Sequence, residues 1–242
     1  RKTRSIAEKA ESDRYAVTFP FDGKKLTLPI GLSKGHNAYN ILSKLLLPVR
    51  DISDFNALPI SFLCIATDAE KGTQVVLDKG YLPRALTASS ALPTIVQPIL
   101  IDGVLHIDGG VVNNYPIDEI RAKGADVVIG VDVQDQLMSQ EQLKSVVDVV
   151  WQINNFRTIE HMGSKIDQTD IYIRPEINQF GVLSFKDPSA VINLGAQAAR
   201  DQRQLFEELA RRQKPYKPRV GISHQQVAEP LQISAVRIEG HQ

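Results

Sequence analysis

Ile99-Leu100-Ile101-Asp102-Gly103-Val104-Leu105-His106-Ile107-Asp108-Gly109-Gly110 is the stretch whose reading decides the fold. Two short apolar runs flank an Asp-Gly pair, the strongest hairpin signal in the chain. The second run ends on Asp108 and is followed by two glycines, which places a carboxylate at a strand terminus. The glycines let other backbone pass close by without side-chain obstruction. A carboxylate so placed can act as a general base if a serine hydroxyl lies within hydrogen-bond reach. It can equally serve as a structural cap for the Asn113-Asn114 turn, and the local pattern leaves both roles open.

Working outward from this hairpin, short apolar runs alternate with helical segments, the grammar of an α/β fold. Residues 26–30 and 60–66 read as strands, the second apolar on both faces and suited to cover by helices on each side. Asp68 to Gly72 turns into a strand over Gln74–Leu77. Helices are expected over Asn37–Leu47, over Arg84–Leu92 up to Pro93, and over 116–123 with Pro116 in the first turn. Gly124-Ala125-Asp126 feeds a strand over 127–133. From Ser139 to Met162 the residues Leu143, Val146, Val147, Val150, Trp151 and Ile153 recur at helical spacing and predict a long amphipathic helix. A strand at Ile171–Ile173 and a helix over Pro188–Arg212 follow, and all these apolar stripes read as core. Lys214-Pro215-Tyr216-Lys217-Pro218 then favours an extended linker. Beyond it, residues 231–240 read as a lone strand that needs partners.

The chain has 242 residues, 43% of them hydrophobic, enough for one large domain with a small appendage. Lys+Arg and Asp+Glu both total 28, so no basic surface advertises nucleic acid. The single cysteine, Cys64, sits in the apolar run Ile60–Ala66 and reads as a packed small hydrophobe. No disulfide framework, cysteine-based metal site or cofactor motif is present. His106 projects from the same strand face as Asp108. His36, His161, His224 and His241 stand in polar or turn contexts, without ligand-like spacing. Asp68 and Asp132 also end strands and are read as structural. No apolar run approaches a membrane span. Arg1 is not an initiator methionine, which points to a natural start upstream.

A second motif competes for the chemistry. Gly31-Leu32-Ser33-Lys34-Gly35 spells G-x-S-x-G, the pattern of a nucleophile elbow. Its local chemistry is poor, because Ser33 is flanked by Leu32 and Lys34 where a tight turn wants small neighbours. Pro29, just before it, cannot donate to a central ladder.

Several blocks in order resemble the C-terminal part of patatin-like phospholipases. They are Phe55-x-x-Leu58-Pro59-Ile60-x-Phe62, Ala66-Thr67-Asp68, Gly72, Ala88-Ser89-Ser90-Ala91-Leu92-Pro93, Asp108-Gly109-Gly110-Val111-x-Asn113-Asn114-x-Pro116 and Gly124-Ala125-Asp126-x-Val128-Ile129-x-Val131-Asp132-Val133. The resemblance spans roughly residues 50–200. It implies a three-layer α/β/α fold, incomplete at its N-terminus, over residues 1–213. It also implies lipid acyl hydrolysis of the phospholipase A or lysophospholipase type by a Ser–Asp dyad, without cofactor or metal. Asp108 matches the dyad aspartate, with Gly109 and Gly110 as its motif. In that family the nucleophile stands well over a hundred residues before the aspartate and follows a glycine-rich oxyanion loop. Ser33 precedes Asp108 by only 75 residues, with no such loop upstream. The resemblance therefore makes Ser33 a decoy, the nucleophile lying upstream of Arg1.

The tail pattern Ile233-x-x-Val236-x-Ile238-x-Gly240 is similar to the first strand of a POTRA domain, so residues 214–230 read as linker and 231–242 as the start of that module. The combination implies a type Vd autotransporter with an outer-membrane barrel, at the bacterial outer membrane or cell surface, or secreted. Expected partners are a phospholipid or other acyl ester met at a membrane surface, and a second copy of the chain that covers strand edges left open by the absent segment. The alternative is a catalytically inert, lipid-facing or self-associating domain.

Overall fold

The computed structural model describes residues 31–181 and 187–213. The strand expected at 26–30, the linker at 214–230, the strand beyond it, His224 and His241 lie outside the described residues. Helices and strands alternate along the chain, so the fold is α/β as expected. In order the elements are β1 (Gly31–Ser33), α1 (His36–Leu45), β2 (Cys64–Asp68), β3 (Gln74–Leu77), α2 (Leu82–Ser89), β4 (Thr94–Val96), β5 (Ile99–Ile101), β6 (Val104–Asp108), α3 (Ile117–Ala122), β7 (Ile129–Val131), α4 (Val146–Asp167), β8 (Ile171–Ile173), α5 (Pro188–Asp201) and α6 (Arg203–Gln213). Four strands form an antiparallel sheet in the order β3-β2-β6-β5, while β1 pairs with β4 and β7 with β8 in parallel.

The opening hairpin forms as read. Asp102 and Gly103 take φ of 49° and 81°, the left-handed backbone that a two-residue turn needs and that an Asp-Gly pair tolerates. Leu100 stands opposite Leu105, and Ile99 opposite His106. On the other side of β6, Asp108 stands opposite Ala66 and His106 opposite Asp68. The hairpin of β2 and β3 also forms, its turn closed by Asp68 Oδ1, which accepts the N–H groups of Glu70 and Lys71 at 2.9 and 3.1 Å.

Several boundaries move, each for a local reason. The strand expected over 60–66 starts only at Cys64, because the Phe62 N–H donates to Phe55 O at 3.1 Å and ties that segment to a 3-10 turn over Phe55–Ala57. The strand expected over 127–133 shortens to three residues, since the Asp170 carboxylate captures the Val128 N–H at 2.7 Å. Helix α4 starts at Val146, later than expected, where Ser145 and Asp148 form a reciprocal capping box. The helix expected over Pro188–Arg212 divides at Gln202, whose N–H bonds back three residues to Ala199 O and closes α5. Helix α2 begins at Leu82 with Pro83 in its first turn and ends before Pro93, where Ser90 Oγ bonds Leu86 O at 2.9 Å.

Two apolar clusters hold the described residues together. Phe55, Leu58, Ala66, Leu77, Leu82, Ala85 and Ala88 pack between the antiparallel sheet and α2. Phe55 is wholly buried, worth about 2–3 kcal/mol relative to an exposed ring. Tyr115, Ile117, Val128 and Met162 form the second cluster under α3, α4 and β7. The turn after β6 lies in the chain between these clusters. Ile129, Val131 and Val133, with Val149, Ile153 and Phe156 of α4, remain exposed. No helix among the described residues is long and apolar enough to cross a membrane.

Candidate active site

Asp108 is the last residue of β6, and the chain leaves it in a 3-10 turn over Gly109–Val111. Three backbone-directed bonds fix its position. Its N–H donates to Ala91 O at 2.9 Å, its carbonyl accepts Thr67 Oγ1 at 2.8 Å, and its Oδ1 accepts the Gly110 N–H at 2.7 Å. The carboxylate thus caps the turn through one oxygen, while Oδ2 has no partner among the described residues. Capping and a chemical role are therefore compatible in one side chain. Burial pushes the Asp108 carboxyl above its ordinary 3.8, against the opposing pull of the Gly110 N–H.

Of the two glycines of the motif, Gly109 is required by backbone contact and Gly110 is crowded by side chains. A Cβ on Gly109 would strike the carbonyl of Ile65 in β2, and one on Gly110 would come within 2.9 Å of Asn114 Oδ1 and 3.0 Å of Asp108 Oδ1. The loop beyond is held from outside. Lys165 Nζ donates to Asn113 Oδ1 at 2.6 Å, Asn113 Nδ2 donates to Gln74 Oε1 at 2.8 Å, and the Tyr115 and Thr169 hydroxyls lie 2.9 Å apart. Tyr115 also packs on Gly130 so closely that no side chain fits there.

Asp108 opens onto a cavity of about 530 Å³. Leu92, Pro93, Val111 and Val133 line its apolar walls, and Val150, Trp151 and Ile153 of α4 complete them. Its polar groups are Asp108, Asn114, Gln134, Asp135, Asn154, Asn155 and Arg157. Asn154 Nδ2 reaches Gly110 O at 3.5 Å and ties α4 to the Asp108 turn. Burial raises the Asp135 carboxyl as well. Gln134 Oε1 and Asn155 Nδ2 are buried without a partner among the described residues, as polar groups left for another molecule would be. Sequence reasoning missed Asp135, Asn154 and Arg157. The signal available was the helical spacing of Val150, Asn154 and Arg157, which puts a polar continuation on the apolar face of α4.

No serine lines this cavity among the described residues. Ser33 is exposed at the end of β1, and its Oγ accepts the Gly35 N–H at 3.1 Å. The glycines around it have their own reasons. A Cβ on Gly31 would meet Gln97 N at 2.6 Å across the β1–β4 pair, and Gly35 takes φ 69° just before α1. His106 is 4% exposed and its Nδ1 lies 2.9 Å from Val104 O, so it does not face the cavity. His36 and His161 are exposed. Asp132, 1% exposed, is bound by Arg174 at 2.7 Å and by the Tyr172 hydroxyl at 2.5 Å. Cys64 is half-buried, and burial pushes its thiol up to about 11, which leaves it un-ionised near neutrality. No group of three metal-ligating side chains occurs among the described residues.

The family model described as patatin-like phospholipase matches residues 6–121, a span that includes Asp108 and its glycines. Residues 6–121 are thus similar to a patatin-like phospholipase domain. Relatives of this domain include an uncharacterized NTE family protein of Mycobacterium tuberculosis, 37% identical over 93 residues that cover 37% of this chain and 26% of that protein. A second NTE family protein from the same species is 24% identical over 185 residues, 64% of this chain and 30% of the relative. Lysophospholipase NTE1 of Scheffersomyces stipitis is 22% identical over 161 residues, 56% of this chain and 10% of that protein. The chain spans less than a third of each of these relatives. The family's description as phospholipase and the name lysophospholipase of one relative both concern lipid hydrolysis.

Proposed function

We propose that the parent protein hydrolyses acyl esters of lipids, as a phospholipase A or lysophospholipase, with Asp108 as the base of a Ser–Asp dyad. The observation that carries this reading is a half-buried carboxylate with one oxygen clamped by the Gly110 N–H and the other unpartnered, opening onto a largely apolar cavity. Burial raises its proton affinity, which makes it a stronger base than an exposed aspartate. In the reaction the serine Oγ attacks the ester carbonyl as Asp108 takes the hydroxyl proton. Collapse of the tetrahedral intermediate breaks the ester C–O bond, and Asp108 returns the proton to the leaving alcohol. Water then attacks the acyl-enzyme with Asp108 again as base, releasing the fatty acid. Backbone amides of an upstream glycine-rich loop stabilise the oxyanion, and the apolar walls take the acyl chain.

The nucleophile in this reading lies upstream of Arg1. In support, Ser33 caps its own turn through Gly35 and does not line the cavity, and Gly31 and Gly35 are explained by packing and backbone conformation. On this account the 242-residue chain by itself is inactive. The tail pattern over 231–240 supports placing the parent at a bacterial surface as an autotransporter with POTRA and barrel. The exposed apolar residues of β7 and α4 support self-association of the isolated chain. A serine-directed fluorophosphonate probe separates the candidates for the nucleophile. The parent protein is expected to label on one serine upstream of Arg1, and the 242-residue chain not at all. Labelling of Ser33 in either protein would overturn this assignment.

A further inference from the structure

The geometry points to Arg157 as the residue that selects a phosphate-bearing acyl substrate, holding the phosphate one glycerol unit away from the ester at Asp108. This inference rests on the lipid-hydrolase reading and deepens it. Along α4 the cavity wall changes character in one direction. Val150, Trp151 and Ile153 come first, then Asn154 and Asn155, then Arg157. Val150, Asn154 and Arg157 stand at i, i+4 and i+7 and share one helix face, and from the first to the last is about 10 Å of helix. The hydrogen bond from Asn154 to Gly110 O places the middle of this gradient beside Asp108. A substrate lying along α4 with its ester at Asp108 has its acyl chain against Val150 and Trp151. Its head group then faces Arg157, about 4.5 Å further along the helix, within reach of a glycerol bridge.

Charge favours an anion there. Arg157 is the only cation lining the cavity among the described residues. Arg121 and Arg174, the other arginines on the α4 side of the fold, each hold a carboxylate within 4 Å, whereas no carboxylate among the described residues pairs with Arg157. The two carboxylates of the cavity, Asp108 and Asp135, both lie beyond ion-pair distance of it, so its guanidinium is left for a ligand. A guanidinium fork matches phosphate oxygens in two parallel bonds.

Trp151 is the chain's single tryptophan and lines the same cavity, so its fluorescence reports occupancy without any need for turnover. The 242-residue chain is titrated with three probes: a medium-chain ether lysophosphatidic acid, which cannot be cleaved, the matching alkylglycerol, and inorganic phosphate. The ether lysophosphatidic acid is expected to bind more tightly than the alkylglycerol, and inorganic phosphate alone to leave the signal unchanged. Arg157→Gln should weaken the lysophosphatidic acid by about tenfold, the loss of one charge-assisted contact. It should leave alkylglycerol binding within about twofold, and Arg157→Lys should restore part of the preference. Equal loss for both lipids, or no loss for either, overturns the role of Arg157 while the lipid cavity stands. Failure of both lipids to move the Trp151 signal overturns the lipid reading of the cavity itself, and this inference with it.

Discussion

Under the proposed function, Asp108 combines two jobs that conflict in stability. Its folded-state pKa is raised by burial, so it favours the folded state only while protonated. That contribution is complete below the ordinary value of 3.8 and is lost as pH rises through the folded-state value. Under the proposed function, this cost of the ionised form is kept for its basicity. Asp108→Asn retains an acceptor for the Gly110 N–H and removes the buried charge. It is expected to unfold at an equal or higher temperature than wild type at neutral pH, by up to a few degrees, with the gap narrowing as pH falls toward 4. Thermal unfolding followed at both pH values checks this, and a variant less stable at neutral pH would contradict it. That Asp108 ends a strand was legible in the alternation of apolar residues and the glycines after it. Its neighbours across the cavity were not, because Asn154 and Arg157 reach it only through the packing of α4, and Asp135 only through the segment that follows β7. In the G-x-S-x-G letters, Gly31 and Gly35 each have a reason in packing or backbone conformation.

Among the elements, hairpins were read more accurately than helix ends. An Asp-Gly turn carries its own backbone conformation, so β5 and β6 needed no tertiary information. The limits of α4 depend on the Ser145–Asp148 box, whose capping competes with the apolar periodicity that began at Leu143. The turn that follows β6 is the element on which the site depends, and it tolerates no side chain at Gly109. Gly109→Ala drives a methyl group into the Ile65 carbonyl, where backbone on both sides prevents relief. Overpacking of this kind costs about 1–3 kcal/mol, and thermal unfolding should fall by roughly 3–10 °C. Gly163→Ala is the matched control, since nothing lies within 4 Å of its Cβ and the residue is helical. That substitution should stabilise by up to about 1 kcal/mol. If the two variants shifted in the same direction, the close approach of β2 to the Asp108 turn would not be what constrains Gly109.

For the whole molecule, the cavity draws its walls from distant parts of the chain. The sheet with α2 supplies Asp108, and the α4 side supplies the facing wall, so the cavity exists only when both are packed. The α/β class followed from the alternation of elements, and the span that matches the family model, residues 6–121, includes β6 and the turn that follows Asp108. Rates measured on the parent protein with a lysophospholipid, comparing wild type with Asp108→Asn and Ser33→Ala, test the central claim most directly. The account predicts that Asp108→Asn lowers kcat by at least about a thousandfold with its fold intact, at the strong end of general-base effects, while Ser33→Ala keeps wild-type kcat/KM. An Asp108→Asn enzyme within tenfold of wild type, or loss of activity on Ser33→Ala, would contradict it.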